Sequence, residues 1–542
     1  MPIKTKYSLV RDNSKTVLVF SSDLCYSISM FIFSGHKRLS VFFCSFFLFF
    51  SIVHAEGYRI TSVRYDIKGM TRKYALATAV PVDTARVFPD RPALEQYLAD
   101  LLTRLKNQRV LEEAAISPFF GIENAEGVTP VDLLIATKDT WNIIALPYPK
   151  YDSNRGFVLK LKIKDFNFFG SMRALSGDIS YEYEEGQSQP HNLGASVSFD
   201  IPFKAGVLNS NWTNDFDTSY KIGDKAPKVG YTTGLNFALP LHEIISLNFG
   251  FSQGIKYNPD YKTDNDDFYL TENVYVGLPV ILAKTEKHGN ITWTPSASLA
   301  YNWDPRDVKK SYSGLSRDDL KGPDISLSHG ISIGRIDWID NHRKGYAAGI
   351  SQSIAYDTFF KTYTTSYSFS GEFYHTFKHG GFASRAYLFK TFGARTKEGG
   401  RIRGVRDAYI TTDSALFINI DVPITVWKTD WRALRGPEWT KWFDFEMQIS
   451  PFVDIALGNN PAASSYYDIK DGWYAAGLEI IGFPNKMRSF QGRISFGIDG
   501  VLLSKELGEK SDFIKKVVNK FFDTSWRTGS WYELSIGIGL HY

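Results

Sequence analysis

Few residues in this chain are spaced for catalysis. The clearest set is Gly250-Phe251-Ser252-Gln253-Gly254, which matches G-x-S-x-G, the elbow that presents a serine nucleophile in hydrolases. That chemistry needs a sharp strand-to-helix turn, because only such a turn lifts the hydroxyl clear of its sheet. Around Ser252 the sequence alternates apolar and polar residues without a break, and no helical pattern follows. There is no H-E-x-x-H pair, no phosphate-binding P-loop and no G-x-G-x-x-G fingerprint. Of 10 histidines, two (His36 and His54) fall within the first 55 residues, and the other eight show no metal-ligand spacing. Asp304-Pro305-Arg306-Asp307 and the run Asp264 to Asp267 read as solvated loops. The expectation is a protein that is not an enzyme, with no metal and no cofactor.

The elements that would have to position any site share a two-residue period. In His191 to Ile201, Leu193, Ala195, Val197, Phe199 and Ile201 face one side, and Gly194, Ser196, Ser198 and Asp200 the other. Ile179, Tyr181 and Tyr183 repeat the pattern, as do Leu247, Phe249 and Phe251, and Ile494, Phe496 and Ile498. The last segment opposes Tyr532, Leu534, Ile536, Ile538, Leu540 and Tyr542 to Glu533, Ser535, Gly537, Gly539 and His541. Such a pattern suits a β-sandwich in water or a closed sheet in lipid. Sixteen or seventeen segments after the Leu146-Pro147-Tyr148-Pro149 boundary favour lipid, where only closure satisfies every strand backbone. The composition agrees. The chain is 43% hydrophobic and 22% charged, yet 15% aromatic, with 12 Trp, 30 Tyr and 41 Phe. Girdles at two membrane interfaces account for such an excess. Residues 146–542 are expected to form an all-β transmembrane antiparallel barrel of about 16 strands.

A phenylalanine-rich run from Leu39 to Val53 follows Lys37-Arg38 and precedes Val53-His54-Ala55. At fifteen residues it is short for a membrane helix and fits a secretory signal peptide cut before Glu56. Residues 1–55 are therefore expected to be a leader, with translation starting at Met30. This segment holds both cysteines (Cys25, Cys44), six basic residues and two acidic ones. Of 62 basic and 58 acidic residues, 56 of each remain, so the +4 charge belongs to the leader. The neutral remainder gives no electrostatic reason to bind nucleic acid.

Residues 58–145 read differently. Tyr58 to Lys68 has strand alternation, Arg72 to Val80 is weakly helical, and Asp90-Arg91-Pro92 supplies an N-cap and an early-helix proline. Leu94, Tyr97, Leu98, Leu101, Leu102 and Leu105 then recur at helical spacing. Val110 to Ser117 and Val128 to Lys138 read as two further strands. This strand-helix-helix-strand-strand order resembles a POTRA (polypeptide-transport-associated) domain in a single copy. The plain alternative is an α+β spacer.

Within the barrel region, Gly399-Gly400-Arg401-Ile402-Arg403-Gly404-Val405 resembles the GG…(V/I)RG(F/Y) motif of the BamA/TamA-type outer-membrane assembly factors, with Val405 replacing the usual aromatic. That resemblance implies a long loop folded back into the lumen. Its arginine, here Arg403, would pair with an acidic wall residue, for which Phe452-Val453-Asp454-Ile455-Ala456-Leu457-Gly458 offers Asp454. A second acidic position of the family falls on Asn419, four residues before Pro423, so the pairing would lean on Asp454. Asn167-Phe168-Phe169-Gly170 is similar to the family's turn after the first strand. Ser535-x-Gly537-x-x-Leu540-x-Tyr542 resembles the C-terminal β-signal common to many barrels.

The resemblance implies a protein that assembles, inserts or translocates other proteins at the outer membrane of a Gram-negative-type cell, with the POTRA domain in the periplasm. Its partners would be the outer-membrane bilayer, unfolded barrel precursors or a secreted protein, and periplasmic accessory proteins. The competing expectations are a two-partner-type secretion pore and a barrel lipid hydrolase.

Overall fold

A computed structural model of the chain describes residues 57–540 apart from 126, 153–155, 184–188, 286, 307–314, 406–409, 432, 434 and 435. The expected leader (1–55), the alternative start at Met30, and Tyr542 lie outside the described residues.

The N-terminal unit comprises β1 (Gly57–Lys68), α1 (Lys73–Ala79), β2 (Val87–Phe88), α2 (Arg91–Asn107), β3 (Leu111–Phe120) and β4 (Val128–Asp139). The sheet order is β2-β1-β4-β3, with β1 parallel to β4 and β3 antiparallel to it. Helix α2 starts where Asp90 accepts a hydrogen bond from the Ala93 N–H at 2.7 Å, satisfying one donor the helix leaves unpaired. Arg104 and Lys106 sit in its last turn, where the helix dipole favours cations. Leu94, Leu101 and Leu105 are fully buried against Ile60, Val131, Leu133 and Ile135, which form the core of this unit.

From Ile143 the chain builds one closed sheet. Twenty-two strand segments enter it. Three pairs are halves of interrupted crossings: Phe268–Gly277 with Val280–Ala283, Ile291–Trp293 with Ser296–Trp303, and Ser414–Asp421 with Ile424–Lys428. Ser465–Tyr466 merely extends the end of Phe445–Asn460, so the wall has eighteen crossings among the described residues. Each interruption carries a proline (Pro279, Pro295, Pro423), which cannot donate to the ladder. The barrel has two more crossings than the sixteen expected. Turns as short as Asp340-Asn341 and Lys378-His379 give the sequence little punctuation, so neighbouring strands merge when read as windows.

The alternation sorts side chains as a barrel requires. Leu327 and Ile350 point outward at 56% and 59% exposure, with Ile331, Phe369, Phe373, Leu478, Ile480, Ile494 and Leu534 also exposed outside. Inside, every second residue of Phe445–Asn460 from Glu446 to Asn460 is buried. Wall height varies. Asp324–Ile339, His342–Asp357 and Thr362–Phe377 have 16 residues each, whereas the last two strands, Gly492–Asp499 and Tyr532–Ile538, have 8 and 7. Tyr532–Ile538 closes the sheet against the first strand, Ile143–Asp152.

The small domain is held against one mouth of the barrel. Asn107 donates to Asp337 Oδ1 at 2.7 Å and accepts from the Trp338 N–H at 2.8 Å. Arg109 donates to the Arg488 carbonyl (2.7 Å), the Asp340 carbonyl (3.1 Å) and Asn341 Oδ1 (2.9 Å), spanning two turns of the barrel rim. Lys486 pairs with Glu112 on β3, which also meets Lys138 at 3.1 Å. Burial alone would raise the Glu112 pKa, but the hydrogen bonds from Lys486 and Lys138 outweigh it and hold the carboxyl below its ordinary value.

Candidate functional site

At the opposite end, the chain between Gly380–Phe392 and Ser414–Asp421 folds back into the lumen along its described residues, 393–405 and 410–413. A short pairing of Thr396–Lys397 with Thr411–Thr412 draws the ends of the loop together, and Gly399–Arg401 makes a 3-10 turn. Gly399 is buried within this turn, and Gly400 is exposed. The turn carries Arg403 down onto the wall.

Arg403 is 5% exposed and uses its whole fork. Its Nη1 and Nη2 donate to the two oxygens of Asp421 at 2.6 and 3.1 Å, while Nε and Nη2 donate to those of Asp454 at 2.9 and 2.8 Å. The Arg403 backbone N–H also donates to Asp454, at 2.9 Å. Glu479 lies 3.5 Å from Nη1 and 3.4 Å from Arg493, so the two arginines share it. The Phe452 ring underlies the guanidinium with its centroid 3.6 Å from Cζ. A charge this deeply buried is tolerable only when paired and hydrogen-bonded, and a planar fork meets two carboxylates at once where an ammonium could not.

Asp421 is a site residue that the sequence reasoning missed. Asn419, at the family's second acidic position, donates instead to the Arg401 carbonyl at 2.9 Å. Asp421 lies two residues further along the same strand and therefore on the same face, and it supplies the second charge. That period was the available signal. Glu479, Arg493, Phe452 and Glu533 were missed as well.

Glycine makes the seat close. Gly404 has φ +84°, and a Cβ there would lie 2.8 Å from the backbone of Gly497 and Ile498. The Gly404 N–H donates to Glu533 on the last strand at 2.9 Å, linking the loop tip to the closing edge of the sheet. Val405 is buried with Ile402, Ile410, Phe389, Phe417, Ala456 and Trp473. This aliphatic side chain thus joins an apolar cluster inside the lumen.

The remaining candidates are spread along the barrel. Ser252 lies mid-strand in Ile245–Tyr257, opposite Gly234 and Asn273, and no elbow forms there. Asn167 to Gly170 form a turn after the second crossing, not the first, because Leu146 to Pro149, expected to be a boundary, lie inside the first strand. That turn docks on the small domain: Asn167 donates to Thr71 Oγ1 at 2.8 Å, and the Gly170 carbonyl accepts from the Arg72 N–H at 2.8 Å. Ser535 and Gly537 are in the last strand, and Leu540 follows it, packing toward Ile481 and Phe483. The acidic runs expected to be solvated come together instead. Arg306 donates to Asp267 at 2.9 Å and to Asp304 at 2.9 Å, and Asp304 and Asp266 are fully buried. One guanidinium ties two facing loops, a pairing invisible to local spacing.

No family model matches the chain, and no curated protein sequence does. Among solved structures, the chain is similar to CdiB from Escherichia coli at 10% identity, covering 89% of this chain and 76% of that one with a TM-score of 0.49. CdiB from Acinetobacter baumannii matches at 11% identity, covering 82% and 70%, with a TM-score of 0.43. BamA from Haemophilus ducreyi lacking POTRA domains 1–3 matches at 11% identity, covering 89% and 85%, with a TM-score of 0.36.

Proposed function

We propose that this chain is an outer-membrane protein that inserts or translocates other proteins through the joint between its first and last strands, with the small domain on the periplasmic side gathering the substrate. A membrane setting is supported by the outward apolar surface, which exceeds what a protein in water leaves uncovered. Exposed Trp427, Trp431, Trp439, Trp442 and Phe443 cluster on one turn at the domain end of the wall, and exposed Phe359, Phe360, Tyr363 and Tyr466 lie at the other end, as interfacial aromatics do.

The observation that carries the proposal is the make-up of the joint. Pro147 and Pro149 both lie in the first strand, two residues apart and so facing the same edge. The ladder to Gly156–Asp165 runs unbroken through both, from Ile143↔Asp165 to Asp152↔Gly156. An antiparallel ladder takes its donors from alternate residues, so the two missing N–H groups fall on the other edge, toward the last strand. The partner there is only 7 residues long, about 23 Å at ~3.3 Å per residue. A joint short of donors beside a low wall gives an incoming strand unpaired backbone to satisfy in a thinned bilayer, so folding free energy does the work without catalyst or cofactor. Substrate capture is assigned to β3, an outer strand of the small sheet, with Phe119 and Phe120 exposed along it.

Depleting the protein and comparing outer-membrane proteomes tests the proposal. Broad loss of barrel proteins is the expected result. Loss of one secreted protein would identify a dedicated secretion pore, and an unchanged proteome would rule out both.

A further inference from the structure

The chain between the last two strands, residues 500–531, forms a helical hairpin on the outer rim: α3 (Gly500–Glu509) and α4 (Asp512–Phe521). Helix α3 is fixed by Asp499, whose carboxylate accepts from the Val501 and Leu502 N–H groups at 3.0 Å each. Helix α4 lies on α3 where the Lys515 backbone meets Gly508, and Val518 of α4 is buried. Of its other apolar residues Ile514 is half-buried, and the remaining three have no such cover. Phe513, Val517 and Phe521 recur every four residues, so they form one stripe, and they are 77%, 43% and 56% exposed. Lys516 and Lys520 border that stripe, and both are exposed.

The hairpin is continuous with the outside of the wall. Phe522, just after α4, meets Tyr474 with ring centroids 5.5 Å apart. Tyr474 pairs with Ile455, one residue from the inward Asp454, so it points outward. Four residues after Phe522, Trp526 meets the inward Trp473 at 5.8 Å, so the chain crosses the rim from outside to inside at this point. Phe521 is adjacent to Phe522, so the end of the stripe stands at the rim beside the outward face that carries the exposed Leu478, Ile480, Ile494 and Phe496.

We infer that α4 is a membrane-surface anchor: Phe513, Val517 and Phe521 bed into the headgroup boundary of the outer leaflet, and Lys516 and Lys520 engage anionic lipid phosphates. An apolar stripe edged by lysines is the pattern by which a helix lies in a charged interface. This inference rests on the membrane reading of the barrel but not on its transport role. The anchor sits on the connection to the last strand, so lipid contact would steady the loop beside the joint.

Both cysteines lie within residues 1–55, so the chain without that segment can be labelled at single sites. The protein is reconstituted into nanodiscs with an environment-sensitive fluorophore at Val517→Cys, Asn519→Cys or Ile494→Cys, using zwitterionic lipid with or without an anionic phospholipid. The expected result is a blue shift and several-fold quenching by shallow brominated lipid at position 517, greater with anionic lipid, and little change at 519. Lys516→Gln with Lys520→Gln should abolish the anionic preference. Quenching at 494 without quenching at 517 overturns the anchor while leaving the membrane barrel intact, and absence of quenching at 494 overturns the membrane reading itself. Quenching at 517 that ignores anionic lipid overturns the phosphate contact.

Discussion

Gly404 at the tip of the folded-back loop rests directly on Gly497 of the penultimate strand. A methyl group on Gly497 would stand 2.6 Å from the Gly404 nitrogen, and one on Gly404 would stand 2.8 Å from the Gly497 carbonyl carbon. Backbone faces backbone here, so no side chain can yield. Gly497→Ala should lift the loop tip and cost about 1–3 kcal/mol, the usual penalty of overpacking. Gly404→Ala should cost at least as much, because its φ of +84° also disfavours a side chain. The temperature at which the folded band disappears in semi-native electrophoresis measures both.

Removing Arg403 leaves Asp421 and Asp454 buried without their counter-ion. Arg403→Ala should destabilise the loop by about 3–5 kcal/mol, the cost of breaking a buried pair from one side. Arg403→Lys should recover little, since a point charge cannot bridge two carboxylates with parallel bonds. Protease accessibility of residues 393–413 in the purified protein measures the loss, and a lysine variant as resistant as the parent would contradict it.

Replacing Pro147 and Pro149 with valine gives the first strand two new N–H donors toward the last. Each added hydrogen bond should stabilise closure by about 0.5–1.5 kcal/mol. The double variant should melt higher and release or insert substrate more slowly. A higher melting temperature with unimpaired substrate handling would separate the joint from function.

The contact between Glu112 and Lys486 should depend on pH in one direction. The folded pKa of Glu112 is depressed, so its contribution is fully present above the unfolded value of about 4.3 and is lost as pH falls through the lower folded value. The small domain should loosen from the rim below about pH 4, and Glu112→Gln should remove most of that dependence. Distances between spin labels at Glu95→Cys and Lys378→Cys, measured from pH 7 to pH 3, test this.

How much was legible in the sequence depended on range. The two-residue period of Leu193 to Ile201 revealed the wall because each side chain reports its own face. Asp90 and Pro92 marked the start of α2 because capping is settled within four residues. The number of crossings was hidden by two-residue turns and by the prolines within three strands. Arg403 and Asp454 were legible through a motif, whereas Asp421 was masked by attention to Asn419, two positions away. Arg306 with Asp267 and Asp304 could not be read at all, since that cluster exists only once two loops meet across the rim. The donor gap at Pro147 and Pro149 needed the neighbouring strands before the prolines acquired an edge.

The two strands that close the wall are about 390 residues apart in the chain, so their pairing is among the least local contacts in the molecule, with a large loop-closure cost before any reward. Every other neighbouring pair is joined through a connection of at most 32 residues, the longest being 500–531. The joint is therefore the last part of the wall to form as the barrel matures, and it is also the place with the fewest donors to hold it once formed. On the proposed function, opening would reverse the last step of assembly: the pairing that forms last is the one the barrel would release to handle another chain.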